Sequence, residues 1–107
     1  MKPIRLHPRV YDDIDEALAQ TRAEFGPRQV PIYERLIVEG RLTLRRHPTI
    51  GQLRSELGPG VRAFCIARGK IKAPHGYIYK VLEDDVIYVA RLVHLARYLP
   101  ELLPADF

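Results

Sequence analysis

Arg62, Lys80 and Arg91 are the side chains of this chain best suited to holding a phosphate, and His94 and Tyr98 follow Arg91 closely enough to move protons beside it. A guanidinium meets a phosphate or carboxylate through two parallel hydrogen bonds, whereas an ammonium meets it as a point charge. Cleavage of RNA requires an activated ribose 2′-hydroxyl, a neutralised phosphate and a protonated leaving oxygen. The three cations suit the second task, and a histidine or tyrosine the other two. The same cations would equally serve adhesion to an acidic partner without chemistry. Between Arg41 and Lys72 there are eight basic residues against one acid, Glu56, in a chain whose net charge is only +4. A positive field clustered in this way suits a polyanion or an acidic protein.

Other chemistries find no footing. One cysteine and four scattered histidines lack zinc spacing. No glycine-rich loop precedes a helix, and the one serine, Ser55, sits in no nucleophile elbow. No cofactor or metal is expected. Cys65 lies in an apolar run and reads as a small buried thiol of a reducing compartment. The N-terminal stretch has no signal-peptide core and no segment reaches membrane-spanning length, so the cytoplasm is the expected location and no membrane partner is expected.

The elements that must position these residues are legible in the spacing. At 107 residues the chain is expected to be a single domain, residues 1–107. Residues 2–6 suit a short strand that Pro3 confines to an edge or a strand start. Tyr11, Ile14, Leu18, Thr21 and Phe25 then recur at helical spacing, and Gly26-Pro27 stops that helix. A second helix is predicted over 28–47, with Val30, Tyr33, Ile37, Gly40 and Leu44 on one stripe and Gly40 admitting the first helix. The short connection makes an antiparallel helical hairpin. After Gly60 the pattern becomes that of strands at 61–68, 77–82 and 86–93, with "EDD" turning the last two into a hairpin and "GKIKAPHG" forming a basic loop. The close, "LARYLPELL", suits a short helix. The sum is an α+β fold, with an N-terminal strand and helical hairpin packed on one face of a small antiparallel sheet.

Such a sheet leaves its other face open. Strict alternation puts Ile87, Val89, Arg91 and Val93 on one side of the last strand, and Tyr88, Leu92 and His94 on the other. Arg62, Phe64 and Arg68 share a face of the first long strand. If Lys80 and Arg91 join them, the bare face is a cationic, partly apolar groove. On this alternation His94 faces the helices as a hydrogen-bonded structural residue. His75 falls in a solvated loop and His47 helps finish the second helix.

Three stretches then acquire a common meaning. "RRHPTIG" leaves the second helix, "LGPGVRAF" leads into a strand, and "YIYKVLEDDVIYVARLVH" closes a hairpin on a hydrophobic-x-Arg-hydrophobic-hydrophobic-His pattern. In this order they resemble the ParE/RelE superfamily of toxins from bacterial type II toxin–antitoxin pairs, and the ParE branch in particular. Tyr98 stands where that branch usually carries Asp, and Leu95 where it usually carries Gly. The resemblance implies a RelE/ParE-like fold and a toxin neutralised by a cognate antitoxin. It implies DNA gyrase as the target of a ParE-like toxin, bound without catalysis in a role that includes plasmid stabilization. The alternatives are a RelE-like endoribonuclease cutting mRNA on the ribosome, and a toxin that has lost activity but still binds its antitoxin. The expected contacts with target or antitoxin are Arg62, Phe64, Arg68, Lys80, Arg91 and Arg97; a ribonuclease would use Arg62, Lys80, Arg91, His94 and Tyr98. The assemblies expected are a homodimer or a toxin–antitoxin hetero-oligomer. Arg91→Ala is expected to remove binding while the fold survives.

Overall fold

The computed structural model describes residues 1–107 apart from 69–70, 97–98 and 106, and leaves the side chains of 68, 71–72 and 99–100 outside the described residues. Strand β1 (Ile4–Leu6) leads into α1 (Arg9–Phe25), a 3-10 turn (Pro27–Gln29) and α2 (Val30–Arg46). Strands β2 (Gln52–Leu53), β3 (Arg62–Arg68), β4 (Ile71–Val81) and β5 (Ile87–His94) follow, then a 3-10 turn over Leu99–Leu102. The helices pack on one face of a five-stranded sheet of order β1-β5-β4-β3-β2. The expected helical hairpin on one face of a sheet is present. β1 runs parallel to β5, so the sheet is mixed.

Local chemistry explains the helix ends. His7 Nδ1 accepts the N–H of Arg9 at 3.1 Å, which serves an otherwise unpaired donor at the start of α1. Gly26 adopts φ 89°, a conformation that favours glycine, and its N–H returns to Arg22 O at 3.0 Å. The buried stripe of α1 is Val10, Asp13, Ala17 and Thr21, so Tyr11 and Phe25 are exposed rather than core. On α2, Ile37, Gly40 and Leu44 are buried as the spacing predicts. Gly40 admits the sheet, however, not α1: a Cβ there would stand 2.8 Å from Ile66 and 3.1 Å from Tyr77.

Two tyrosines of β4 bolt the sheet to α2. The Tyr77 hydroxyl donates to Ile37 O at 2.7 Å and accepts from Arg41 at 3.2 Å. Tyr79 donates to Pro48 O at 2.7 Å and accepts the N–H of Gly51 at 2.9 Å. A Cβ on Gly51 would lie 2.6 Å from that hydroxyl, which explains the glycine that ends "HPTIG".

Two features of the sheet depart from expectation. Residues 71–76 belong to β4 rather than to a loop, and the β3–β4 register shifts between Cys65 and Ala67, alongside Pro74, which has no N–H to give the ladder. In β5, Arg91 pairs with Ile78 but Val89 with Tyr79, so Ala90 is an extra, bulged residue. That bulge reverses the alternation halfway along the strand.

Candidate functional site

The bulge decides where the candidate residues go. Before it, Ile87 and Val89 join the core beneath the helices; after it, Leu92 does. Arg91 is therefore turned with its ladder partner Ile78 and with Val93 to the face away from the helices. Lys80, next but one to Ile78 along β4, shares that face, whereas Arg62 is paired with Tyr79 on the helix side. Arg62 reaches the chain leaving α2, donating to Gly51 O at 2.8 Å and Thr49 O at 3.2 Å. Phe64, also on the helix side, packs against the main core. The expected single row of Arg62, Phe64, Lys80 and Arg91 is thus divided between the two faces. The Arg68 side chain, Arg97 and Tyr98 lie outside the described residues.

Arg91 does not project into solvent. β1 covers only Ile87 to Val89, so the edge of β5 beyond it needs another partner. Asp13 of α1 supplies one, accepting the N–H of Leu92 at 3.0 Å. The same carboxylate takes Arg91 Nε at 2.8 Å and Nη2 at 2.7 Å, a bidentate pair whose side chains are only 9% and 4% exposed. Arg91 Nη1 donates to Leu102 O at 2.6 Å. Hydrogen bonding to Asp13 pushes the Arg91 pKa further up, against the effect of burial. Breaking such a pair leaves a buried charge without its partner, so survival of the fold in Arg91→Ala is no longer the expected outcome. In the sequence Asp13 is one of four acids, with Asp12, Asp15 and Glu16, in the first turns of α1. Its place on the Val10–Ala17–Thr21 stripe was the overlooked signal.

The far face is not bare either. Val61, Ile78 and Val93 form a second apolar cluster, covered by Leu102, Leu103 and Phe107 among others. Lys80 Nζ donates to Phe107 O and lies 4.5 Å from the centre of the Phe107 ring, which also meets Tyr88 at 6.0 Å. Arg5 and Lys80 flank Tyr88 in register across β1, β5 and β4.

On the helix side the structure assembles a cluster that the sequence did not reveal. Tyr33 Oη and His75 Nδ1 are 2.6 Å apart, and the rings of His75 and His94 meet edge-on at 5.6 Å. His75 is buried in β4, not solvated, and continues the inward row of Tyr77 and Tyr79. His94 faces the helices as predicted, and its Nδ1 accepts the N–H of Ala96 at 3.2 Å. These rings line a cleft of about 420 Å³ between the turn end of the helical hairpin and the sheet, beside Thr21, Phe25, Ile32 and Leu36. Phe25 and Ile32 at its rim are 68% and 41% exposed. Burial pushes the Tyr33 hydroxyl up to about 12, so it holds its proton at neutral pH. With Lys80 and Arg91 on one face and Arg62 and His94 on the other, these four do not converge on one phosphate. Among the described residues, no group of three or more His, Cys, Asp or Glu side chains is placed to hold a metal.

The family model described as the ParE toxin of type II toxin-antitoxin system, parDE, matches residues 4–98. Among solved structures, the chromosomal ParDE toxin–antitoxin system of P. aeruginosa aligns with TM-score 0.71 and 21% identity, over 88% of this chain and 96% of that one. The toxin–antitoxin complex RelBE2 of Mycobacterium tuberculosis aligns with TM-score 0.55 and 20% identity, over 87% of this chain and 96% of that one. Both likenesses are likenesses of fold. No curated protein matches.

Proposed function

We propose a function for this chain from its family, since it belongs to the ParE toxins of type II toxin–antitoxin systems. In this proposal it is the toxin of a pair, held inactive in the cytoplasm by a cognate antitoxin, and its target is DNA gyrase. It acts by binding, stabilising one state of the target, which requires a shaped surface and no catalytic group. The observation that carries this reading is the match of the ParE family over residues 4–98, nearly the whole of the described fold. The dispersal of Arg62, Lys80, Arg91 and His94 over two faces supports binding over catalysis, because RNA cleavage needs phosphate clamp and proton carriers on one reacting group. Of the residues expected to touch a partner, Lys80 keeps its place in the proposal, because the residue it meets, Phe107, is itself only part-buried. Arg62 and Arg91 bind main chain and Asp13 of their own fold.

Gyrase supercoiling with purified protein tests the target. Inhibition with accumulation of cleaved DNA is the expected result, relieved by the antitoxin. Unimpaired supercoiling, together with ribosome-dependent cuts in mRNA, would replace the target with the translating ribosome.

A further inference from the structure

We infer that the cleft between the turn end of the helical hairpin and the sheet binds a small aromatic amine, a ring with a hydroxyl at one end and an ammonium at the other. One wall is a run of rings. Tyr33 meets His75 edge-on at 5.6 Å with 72° between their planes, and His75 meets His94 at 5.6 Å and 70°. Rings so arranged set a positive edge against a negative face, and one more ring extends the pattern. Phe25, Ile32, Leu36 and Pro74 make much of the remaining lining apolar. At about 420 Å³ the cleft is of the size that takes small molecules.

Two features set the polarity of the ligand. His94 Nδ1 accepts the N–H of Ala96 at 3.2 Å, which leaves Nε2–H as the donor of the neutral ring. No other group among the described residues hydrogen-bonds to His94, so a ligand hydroxyl oxygen can accept from it. The Tyr33 hydroxyl does not compete, because it is turned to His75 Nδ1 at 2.6 Å. Charge sets the other end. The chain carries seventeen Lys and Arg, yet Glu24 is the one ionised side chain lining the cleft among the described residues. Glu16, two turns earlier on α1, lies in a smaller depression that shares Gln20, His75 and His94 with the cleft. Neither carboxylate is in an ion pair among the described residues; Glu24 accepts only Gln20 Nε2, at 2.9 Å. A negative cleft in a positive molecule draws an ammonium and repels a carboxylate or phosphate. The inference goes beyond the proposed function and needs neither gyrase nor an antitoxin.

The test titrates the full chain with tyramine and, separately, with 3-(4-hydroxyphenyl)propionate, which keeps the phenol and replaces the ammonium by a carboxylate. The ring signals of the four histidines are followed by NMR, above the ordinary imidazole pKa of about 6.5. Tyramine should shift His75 and His94 saturably and leave His7 and His47 in place, with a dissociation constant at least tenfold below that of the propionate. Glu24→Gln, at an exposed position, should remove most of that preference. His94→Phe keeps a ring but loses the donor, and should weaken tyramine at least threefold. Both variants are checked for cooperative melting; if His94→Phe does not fold, Glu24→Gln decides alone. No saturable shift up to millimolar tyramine, equal binding of the two probes, or an affinity unchanged in a folded variant overturns the inference.

Discussion

On the helix side of the sheet, Ile37, Gly40 and Leu44 press against β3 and β4, and two buried tyrosine hydroxyls fix the contact to named carbonyls. On the far side, Val61, Ile78 and Val93 lie under a short segment held by two cations through main-chain oxygens. The first face is closed by elements that must form if the chain is to fold at all. Among the described residues, the second is closed by side chains from Leu102, Leu103 and Phe107, which make no ladder with the sheet. Arg91 stands between the two. It is turned to the far face, yet its guanidinium runs round the edge of β5 to Asp13 of α1. A cation in a strand can therefore be fixed to a buried carboxylate, while its neighbour Lys80 meets the main chain and ring of Phe107.

The sharpest way to break this comparison is through Asp13 and Arg91. Removing either partner of a buried bidentate pair typically costs about 3–5 kcal/mol, so Asp13→Ala and Arg91→Ala should each lower the melting temperature by roughly 12 °C or more. Lys80→Ala should cost less, about 1–2 kcal/mol, since it loses a part-exposed ring contact and one hydrogen bond to Phe107 O. Equal melting temperatures for Arg91→Ala and Lys80→Ala would dissolve the distinction between the two cations.

A smaller effect sharpens the account of the helix side. Burial pushes the Tyr77 hydroxyl up to about 12 from its ordinary 10.0, and Tyr33 moves in the same direction to about 12. Between pH 10 and 12 the unfolded chain loses these protons while the folded chain keeps them, so stability falls as pH rises through that window. Tyr77 alone should contribute roughly 2–3 kcal/mol of that loss. Denaturant titrations at pH 9, 10 and 11 should show the decline, and Tyr77→Phe should make it shallower, with the remainder due to Tyr33. A stability that stays level to pH 11 would mean that Tyr77 is accessible to water.

Much of this architecture was legible in the residue pattern, and the parts that were not share a cause. Gly26-Pro27, the α2 stripe and the β-branched runs marked both helices and the three long strands, because each signal is local. The β1–β5 pairing joins residues some eighty positions apart and leaves no local trace. The bulge at Ala90 is equally silent, and it alone moves Arg91 off the face that strict alternation gives Ile87 and Val89. Alternation still put His94 beneath the helices correctly, because the prediction began from the wrong side of the strand and the bulge reversed it. His75 was lost in a run whose Pro74 and Gly76 look like a turn. The row His75, Tyr77, Tyr79, at a spacing of two, was the stronger sign that this stretch belongs to a strand. At the level of the site, residue types identified the cations. They did not identify their partners, Asp13 and the main-chain oxygens of Gly51, Leu102 and Phe107.

Amide hydrogen exchange measured on the intact chain tests the contrast between the two faces most directly. The Leu92 N–H, held by Asp13, and the amides of α2 and β4 should exchange only with global unfolding, while the amides of Leu102, Leu103 and Phe107 should exchange many-fold faster through local release. If the segment exchanges in step with β4 and β5, its cover is part of the cooperative core, and the far face is as permanently closed as the helix side.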